Sequence, residues 1–128
     1  MQTKSLEILL QEANDEIKRL SFSEAQELIE SNESVIIDVR EESEVNSLGI
    51  IQGSIHIPRG LIEFKLNPNS PNNIKNISDQ TNLLIYCAGG YRSALAAKSL
   101  KEIGFKNVFN IGGFDEWIDN GGKVTTSK

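Results

Sequence analysis

The chain has 128 residues, 38% hydrophobic and 24% charged, which are the proportions of an ordinary soluble domain able to bury a core without metals or disulfides. Its 13 Lys and Arg residues against 18 Asp and Glu residues give a net charge of −5, which disfavours nonspecific binding to nucleic acid or an anionic membrane. The single cysteine, Cys87, excludes an internal disulfide, and with one histidine beside it the chain lacks the usual ligands of a structural zinc site. No apolar run reaches the length of a signal-peptide core or a membrane span, so we expect one cytoplasmic domain without a metal.

The N-terminal segment is predicted to be an amphipathic helix. Between residues 6 and 20 the apolar side chains recur at helical spacing along one face. We expect this segment, residues 1–21, to pack on the domain formed by residues 22–128. The alternative is that its apolar face meets a partner.

The rest of the chain alternates predicted strands with predicted helices. Ser23 is the expected N-cap of the second helix, because Gln26 follows three positions later as in a capping box. Residues 67–82 hold six asparagines and two prolines and are expected to form a surface loop. The predicted helices are 23–31, 41–48, 93–103 and 114–120, and the predicted strands are 35–39, 54–58, 83–86 and 108–111.

This alternation indicates an α/β fold. Short loops between strands and helices are typical of parallel βαβ units, with a central parallel sheet and helices on both faces. In such sheets the functional site lies at the carboxyl ends of the strands, where helix N-termini converge. Cys87 lies at this edge, between the strand 83–86 and the helix 93–103.

The residues after Cys87 suit a nucleophilic thiol. Gly89 and Gly90 permit a sharp turn, and consecutive N–H groups in such a turn, with the helix N-terminus, form a ring that binds an anion. A free cysteine is only about 3% thiolate at pH 7, and these dipoles together with Arg92 would raise that fraction. The alternative is a buried structural cysteine, which is common for a free thiol.

The segment "CAGGYRS" resembles the active-site loop of rhodanese-like sulfurtransferases. Three further segments resemble the same family in the same order: "VIIDVREESEV", "GIIQGSIHIPRG" and "GFKNVFNIGGFDEWIDNGGKV". Together they cover roughly residues 22–124 and imply a single-domain sulfurtransferase with a rhodanese-like three-layer sandwich. Ile50, Gln52 and Ser54 depart from the usual His, Pro and Ala of the second segment, which affects local packing more than the cysteine loop.

The resemblance implies sulfane sulfur transfer through a persulfide on Cys87. The donor would be a small anion such as thiosulfate, and the acceptor cyanide in an assay or a thiol, including a thioredoxin-like one, in the cell. It implies no metal or organic cofactor, and we expect a monomer or weak homodimer. The candidate substrate-binding residues are Ala88, Gly89, Gly90, Tyr91, Arg92 and Ser93 of the loop, and Arg59 at the end of another strand.

Two other functions fit the same resemblance. Phosphatases and arsenate reductases on this fold also use a cysteine in an amide-lined loop, and the phosphatases have five residues between Cys and Arg. Here four residues separate Cys87 from Arg92, and the tighter ring favours a single sulfur atom over a phosphate. A non-catalytic binding module is the third alternative, and the presence of Cys87 weakens it.

Three other polar residues are assigned structural roles. Asp38 and Arg40 end the first buried strand, and we expect an ion pair or helix cap near Glu41 or Glu44. His56 stands in an apolar strand, where a packed or surface histidine is commoner than a general base.

Overall fold

The computed structural model describes residues 2–31, 33–71, 73–74 and 76–126 of the chain. Within these ranges the helices are α1 (Leu6–Glu16), α2 (Phe22–Glu30), α3 (Glu42–Leu48), α4 (Ile62–Leu66), α5 (Tyr91–Ile103) and α6 (Phe114–Asp119). The strands are β1 (Lys18–Arg19), β2 (Ser34–Asp38), β3 (Ile50–Ile51), β4 (Ile55–His56), β5 (Asn82–Cys87), β6 (Val108–Gly113) and β7 (Val124–Thr125). No helix in this part of the chain is long and apolar enough to cross a membrane.

Five strands form a parallel sheet in the order β1-β6-β5-β2-β4, and β3 pairs with β7 in a separate antiparallel ribbon. Successive side chains of a strand point to opposite faces, so each central strand supplies two cores. Ile85 packs in the core that includes Leu100 of α5, whereas Tyr86 packs in the core that includes Trp117 of α6. The predicted α/β sandwich, with a central parallel sheet and helices on both faces, is confirmed.

The predicted N-terminal helix, 6–20, is wrong at its C-terminal end. The helix α1 stops at Glu16, and β1 then adds to the edge of the sheet beside β6. The Leu20 amide continues this pairing by donating to the Asn110 carbonyl at 3.0 Å. The helix itself packs against α5, where the Lys98 ammonium lies 3.6 Å from the Glu16 carboxylate.

The start of α2 also differs from the prediction, because the N-cap is Ser21 and not Ser23. The Ser21 hydroxyl accepts from the Glu24 amide at 3.1 Å, and the Glu24 carboxylate accepts from the Ser21 amide at 2.8 Å. Glu24, and not Gln26, therefore completes the capping box.

The remaining boundaries shift by a few residues. The fourth predicted helix begins at Tyr91, two residues before the expected Ser93, and the strand predicted over 54–58 is limited to β4. The short elements β3, β7 and α4 were not predicted. The predicted loop 67–82 contains no helix or strand before β5 among its described residues, and its positions 72 and 75 lie outside them.

Candidate functional site

The site lies at the carboxyl end of β5, the central strand of the sheet. Cys87 is the last residue of β5 and is aligned with Gly113 of the neighbouring β6. The chain then turns through Gly90, whose φ of +92° is left-handed, and enters α5 at Tyr91. Gly113 lets the two segments approach, because a Cβ there would overlap the Ala88 carbonyl. Residues 87–93 are called the cysteine loop below.

Backbone and side-chain groups of the cysteine loop converge on the sulfur of Cys87. The Gly90 amide donates to Sγ at 3.0 Å, the Ser93 amide donates at 3.4 Å, and the Ser93 hydroxyl lies 3.4 Å away. Burial raises the pKa of the thiol, since the residue is only 1% exposed. In the neutral state the thiol donates to the Ser93 hydroxyl oxygen. Hydrogen bonding with the Ser93 side chain and with the amides of Ser93, Gly89 and Gly90 outweighs burial, so the pKa of Cys87 is lowered from its ordinary value.

A buried asparagine, Asn110 of β6, holds this loop in place. Its Nδ2 donates to the Gly90 carbonyl at 3.0 Å, and its Oδ1 accepts from the Ser93 hydroxyl at 2.8 Å and from the Gly112 amide at 2.9 Å. The residue is 3% exposed, so these bonds are made away from water. Sequence reasoning missed Asn110, although an amide inside the apolar run "VFNI" of a buried strand was a usable signal.

Arg92 is paired with a carboxylate from α3. Its Nη1 and Nη2 atoms donate to the two Glu44 oxygens at 2.8 and 3.0 Å, in the two-pronged geometry that arginine forms with carboxylates. Hydrogen bonding to Glu44 raises the pKa of Arg92, and the same bond lowers the pKa of Glu44. The sequence pointed to Arg92 but not to this partner.

In the structure, the hydrogen-bond partners of Arg59 lie outside the cysteine loop. Its guanidinium lies 3.2 Å from the Glu63 carboxylate and 3.2 Å from the Ser99 hydroxyl, and neither residue belongs to the cysteine loop. Ala88 and Tyr91 of the loop are exposed at its rim. A role for Arg59 in attracting the donor stays a prediction.

The polar residues that end β2 form a buried cluster. Both Asp38 and Arg40 are fully buried, and Arg40 Nη2 lies 2.7 Å from the Asp38 carboxylate and 2.6 Å from the Gly49 carbonyl. The Arg40 guanidinium also lies 4.2 Å from the ring centre of Phe114. The expected ion pair forms between Asp38 and Arg40 themselves.

His56 is half-buried beside this cluster. Its Nε2 donates to the Arg40 carbonyl at 2.7 Å, so the ring is hydrogen-bonded to the backbone. Among the described residues, no group of three or more His, Cys, Asp or Glu side chains is arranged to hold a metal ion. The chemistry that the cysteine loop offers is that of a thiol whose sulfur accepts from two backbone N–H groups.

Comparison with known proteins agrees with this geometry. Residues 21–120 match the family described as Rhodanese-like domain. "Putative sulfurtransferase YtwF" from Bacillus subtilis is 35% identical over 103 residues, covering 80% of this chain and 91% of that protein. "Putative sulfur carrier protein YrkF" from the same organism is 33% identical over 103 residues, covering 79% of this chain, but this match spans only about half, 51%, of that protein.

A solved structure resembles the chain over nearly its whole length. It belongs to a protein of unknown function, described as a possible tyrosine phosphatase, from Rhodopseudomonas palustris. The TM-score is 0.88 and the identity 38%, with 98% of this chain and 97% of that chain covered. The parallel sheet, the cysteine at the N-terminus of α5 and the family match over most of the sequence lead to one assignment: this chain belongs to the rhodanese-like sulfurtransferase family.

Proposed function

We propose that the protein transfers sulfane sulfur through a persulfide on Cys87, taking it from a donor such as thiosulfate and passing it to a thiophilic acceptor. The observation that carries this proposal is the convergence of the Gly90 amide, the Ser93 amide and the Ser93 hydroxyl on one sulfur atom. The two amides donate to this atom, and the hydroxyl can turn to donate to it once the thiol has lost its proton, so the group stabilises a thiolate before the reaction and an anionic sulfur after it. A thiol, including that of a thioredoxin-like protein, is the proposed acceptor in the cell.

The proposed reaction has two displacement steps. The Cys87 thiolate attacks the outer sulfur of thiosulfate, the S–S bond breaks, and its electron pair leaves with sulfite. The products are Cys87–S–S⁻ and SO₃²⁻, so atoms and charge balance without an external oxidant. Cyanide or a thiolate then attacks the outer sulfur and leaves as thiocyanate or a new persulfide, which regenerates the Cys87 thiolate.

Phosphatase activity is the second candidate, because the R. palustris structure is described as a possible tyrosine phosphatase. Two features of the site speak against it. Only four residues lie between Cys87 and Arg92, and the Arg92 fork is occupied by Glu44. A phosphoryl group needs donors spread around three oxygens, whereas these donors meet at a single atom.

Intact-mass measurement after incubation with thiosulfate tests the proposal. The wild-type protein should gain the mass of one sulfur atom, dithiothreitol should remove it, and cyanide should release it as thiocyanate. Cys87→Ser is the matched control, because Cys87 is the only cysteine and no other thiol can carry the adduct. An adduct that persists in Cys87→Ser, or hydrolysis of p-nitrophenyl phosphate without persulfide formation, would contradict the assignment.

A further inference from the structure

One arginine of the cysteine loop and one arginine beside it are each neutralised by a glutamate. On one side Arg92 forms its two-pronged pair with Glu44. On the other side Arg19 Nη2 lies 2.6 Å from the Glu116 carboxylate. A Cβ on Gly90 would stand 3.5 Å from Arg19 Nη1, so this second pair also lies against the loop. The loop is therefore flanked by two pairs of zero net charge.

These two neutral pairs affect how well the site accepts a negatively charged donor. Thiosulfate carries two negative charges, and its sulfonate must lie outside the ring of donors when its outer sulfur meets Cys87. There the only basic group of the loop, Arg92, already holds Glu44, while Glu41 lies close enough to raise the pKa of the same guanidinium. The sulfonate would have to displace or approach a carboxylate, which costs Coulomb energy that a donor of lower charge avoids.

We propose that Glu44 is a specificity-determining residue that directs the site toward sulfane sulfur donors of low charge, namely hydropersulfides of small thiols, and against the thiosulfate dianion. This inference rests on the proposed sulfur transfer. The Cys87 thiolate attacks the outer sulfur of R–S–SH, the S–S bond breaks, and its electron pair leaves on the thiolate R–S⁻. The proton then passes from the new persulfide to R–S⁻, so the products are Cys87–S–S⁻ and R–SH, with no oxidant consumed.

Glu44 is assigned this role because its carboxylate occupies both Nη groups of Arg92. Both carboxylate oxygens are used, and the pair is only partly exposed, with 36% of the Arg92 side chain and 29% of the Glu44 side chain accessible. An ion pair of this kind is screened less than a fully exposed one. Removing the Glu44 charge would free a planar fork of donors, which matches a sulfonate as it matches a carboxylate.

The test compares two donors in single-turnover persulfidation of Cys87, followed by intact mass. The donors are thiosulfate and the hydropersulfide of 2-mercaptoethanol, and the measured quantity is the ratio of their rate constants, thiosulfate over hydropersulfide. Glu44→Gln keeps the shape of the side chain and removes its charge, so the ratio should rise on the order of tenfold. Glu42→Gln is the matched control, since it makes the same charge change on an exposed position of α3, and its ratio should stay within about twofold of wild type.

Wild-type protein supplies a second measurement that does not depend on a variant folding. Raising the ionic strength should raise the ratio, because salt screens the repulsion of a dianion more than that of a less charged donor. A ratio that falls with salt, or a ratio unchanged in folded Glu44→Gln, would overturn this inference while leaving sulfur transfer intact. Failure of both donors to load Cys87 in the wild type would instead refute the proposed function.

Discussion

Replacing Ser93 by alanine tests whether the hydroxyl of this residue stabilises the Cys87 thiolate. Ser93 is fully buried in the first turn of α5, and alanine favours a helix more than serine does. The substitution removes the hydroxyl at 3.4 Å from Sγ but keeps the Ser93 amide and the Gly90 amide as donors. The pKa of Cys87 should therefore rise toward its ordinary value without returning to it.

The magnitude follows from how the hydroxyl proton is shared. A hydrogen bond to a charged group contributes about 1.5–3 kcal/mol, which corresponds to roughly 10- to 150-fold in the thiolate population below the pKa. The Ser93 hydroxyl donates its one proton to Asn110 Oδ1 at 2.8 Å and accepts from the neutral thiol at 3.4 Å, so it must turn to donate to the thiolate. Breaking the bond to Asn110 is the cost of turning the proton toward sulfur, so the loss should lie near tenfold.

The pH dependence of Cys87 alkylation by iodoacetamide measures this effect, because only the thiolate reacts. The Ser93→Ala profile should be displaced to higher pH, with a rate near neutral pH about tenfold lower. Ser43→Ala, an exposed serine of α3, is the control and should follow the wild-type profile. Superimposable profiles for Ser93→Ala and wild type would refute the reasoning. A displacement to lower pH would show that the bond from the neutral thiol to the Ser93 hydroxyl oxygen is worth more than the bond from the hydroxyl to the thiolate, which also refutes the reasoning.

Three further outcomes follow from the same geometry. Asn110→Ala leaves the Gly90 carbonyl and the Gly112 amide without their buried partner. The free energy of unfolding in urea should therefore fall by about 2–4 kcal/mol, and a loss below about 0.5 kcal/mol would contradict this. Because the pKa of Cys87 is lowered in the folded state, the unfolded chain holds the proton to higher pH, and stability should rise as pH increases from the folded pKa toward the ordinary value of 9.0. Cys87→Ser should lack that rise, and equal pH slopes in the two proteins would disprove it. Inserting one glycine between Gly90 and Tyr91 widens the ring, so thiosulfate-dependent persulfide formation should fall, and an unchanged rate would show that loop length does not matter.

The fold was predictable where the sequence pattern and the burial agree. The apolar runs 35–39, which contains one acid, and 83–86 correctly indicated central strands, because strands of a parallel sheet are covered on both faces. The end of the first helix was not predictable in this way. Ile17 and Leu20 are buried, as helical spacing suggests. They do not lie in a helix, however, but directly before and directly after the edge strand β1. Pairing with β6, which is distant in sequence, decides that conformation.

The start of α2 shows the same limit at the scale of single residues. The segment "SFSEAQ" contains two overlapping capping-box patterns, one from Ser21 to Glu24 and one from Ser23 to Gln26. Both fit the local rule, so local chemistry does not choose between them. The chain leaves β1 at Arg19, and this exit places Ser21 at the first turn of the helix.

In the site, sequence reasoning found the residues that are contiguous with Cys87 and missed those that reach it from elsewhere. Glu44 lies 48 residues from Arg92, and Asn110 lies 17 residues from Ser93, so no local spacing connects them. The motif predicts an arginine in the cysteine loop, but not whether the charge of that arginine is free. That charge balance depends on how α3 packs beside the loop and is known only from the structure.

The placement of the one thiol at the junction of a strand and a helix now has a physical explanation. Burial alone would make Cys87 an unreactive core residue, and a nearby free arginine would favour any anion at the mouth of the site. Here Arg92 and Arg19 are each paired with a glutamate, so the stabilisation of negative charge comes from N–H dipoles aimed at one atom. Dipolar stabilisation falls off steeply with distance, so it acts on a charge inside the ring and hardly on a sulfonate outside it. In the proposed reaction such a site stabilises the terminal sulfur of a Cys87 persulfide more than the charge of the incoming donor, which favours loading of Cys87 over retention of the donor anion.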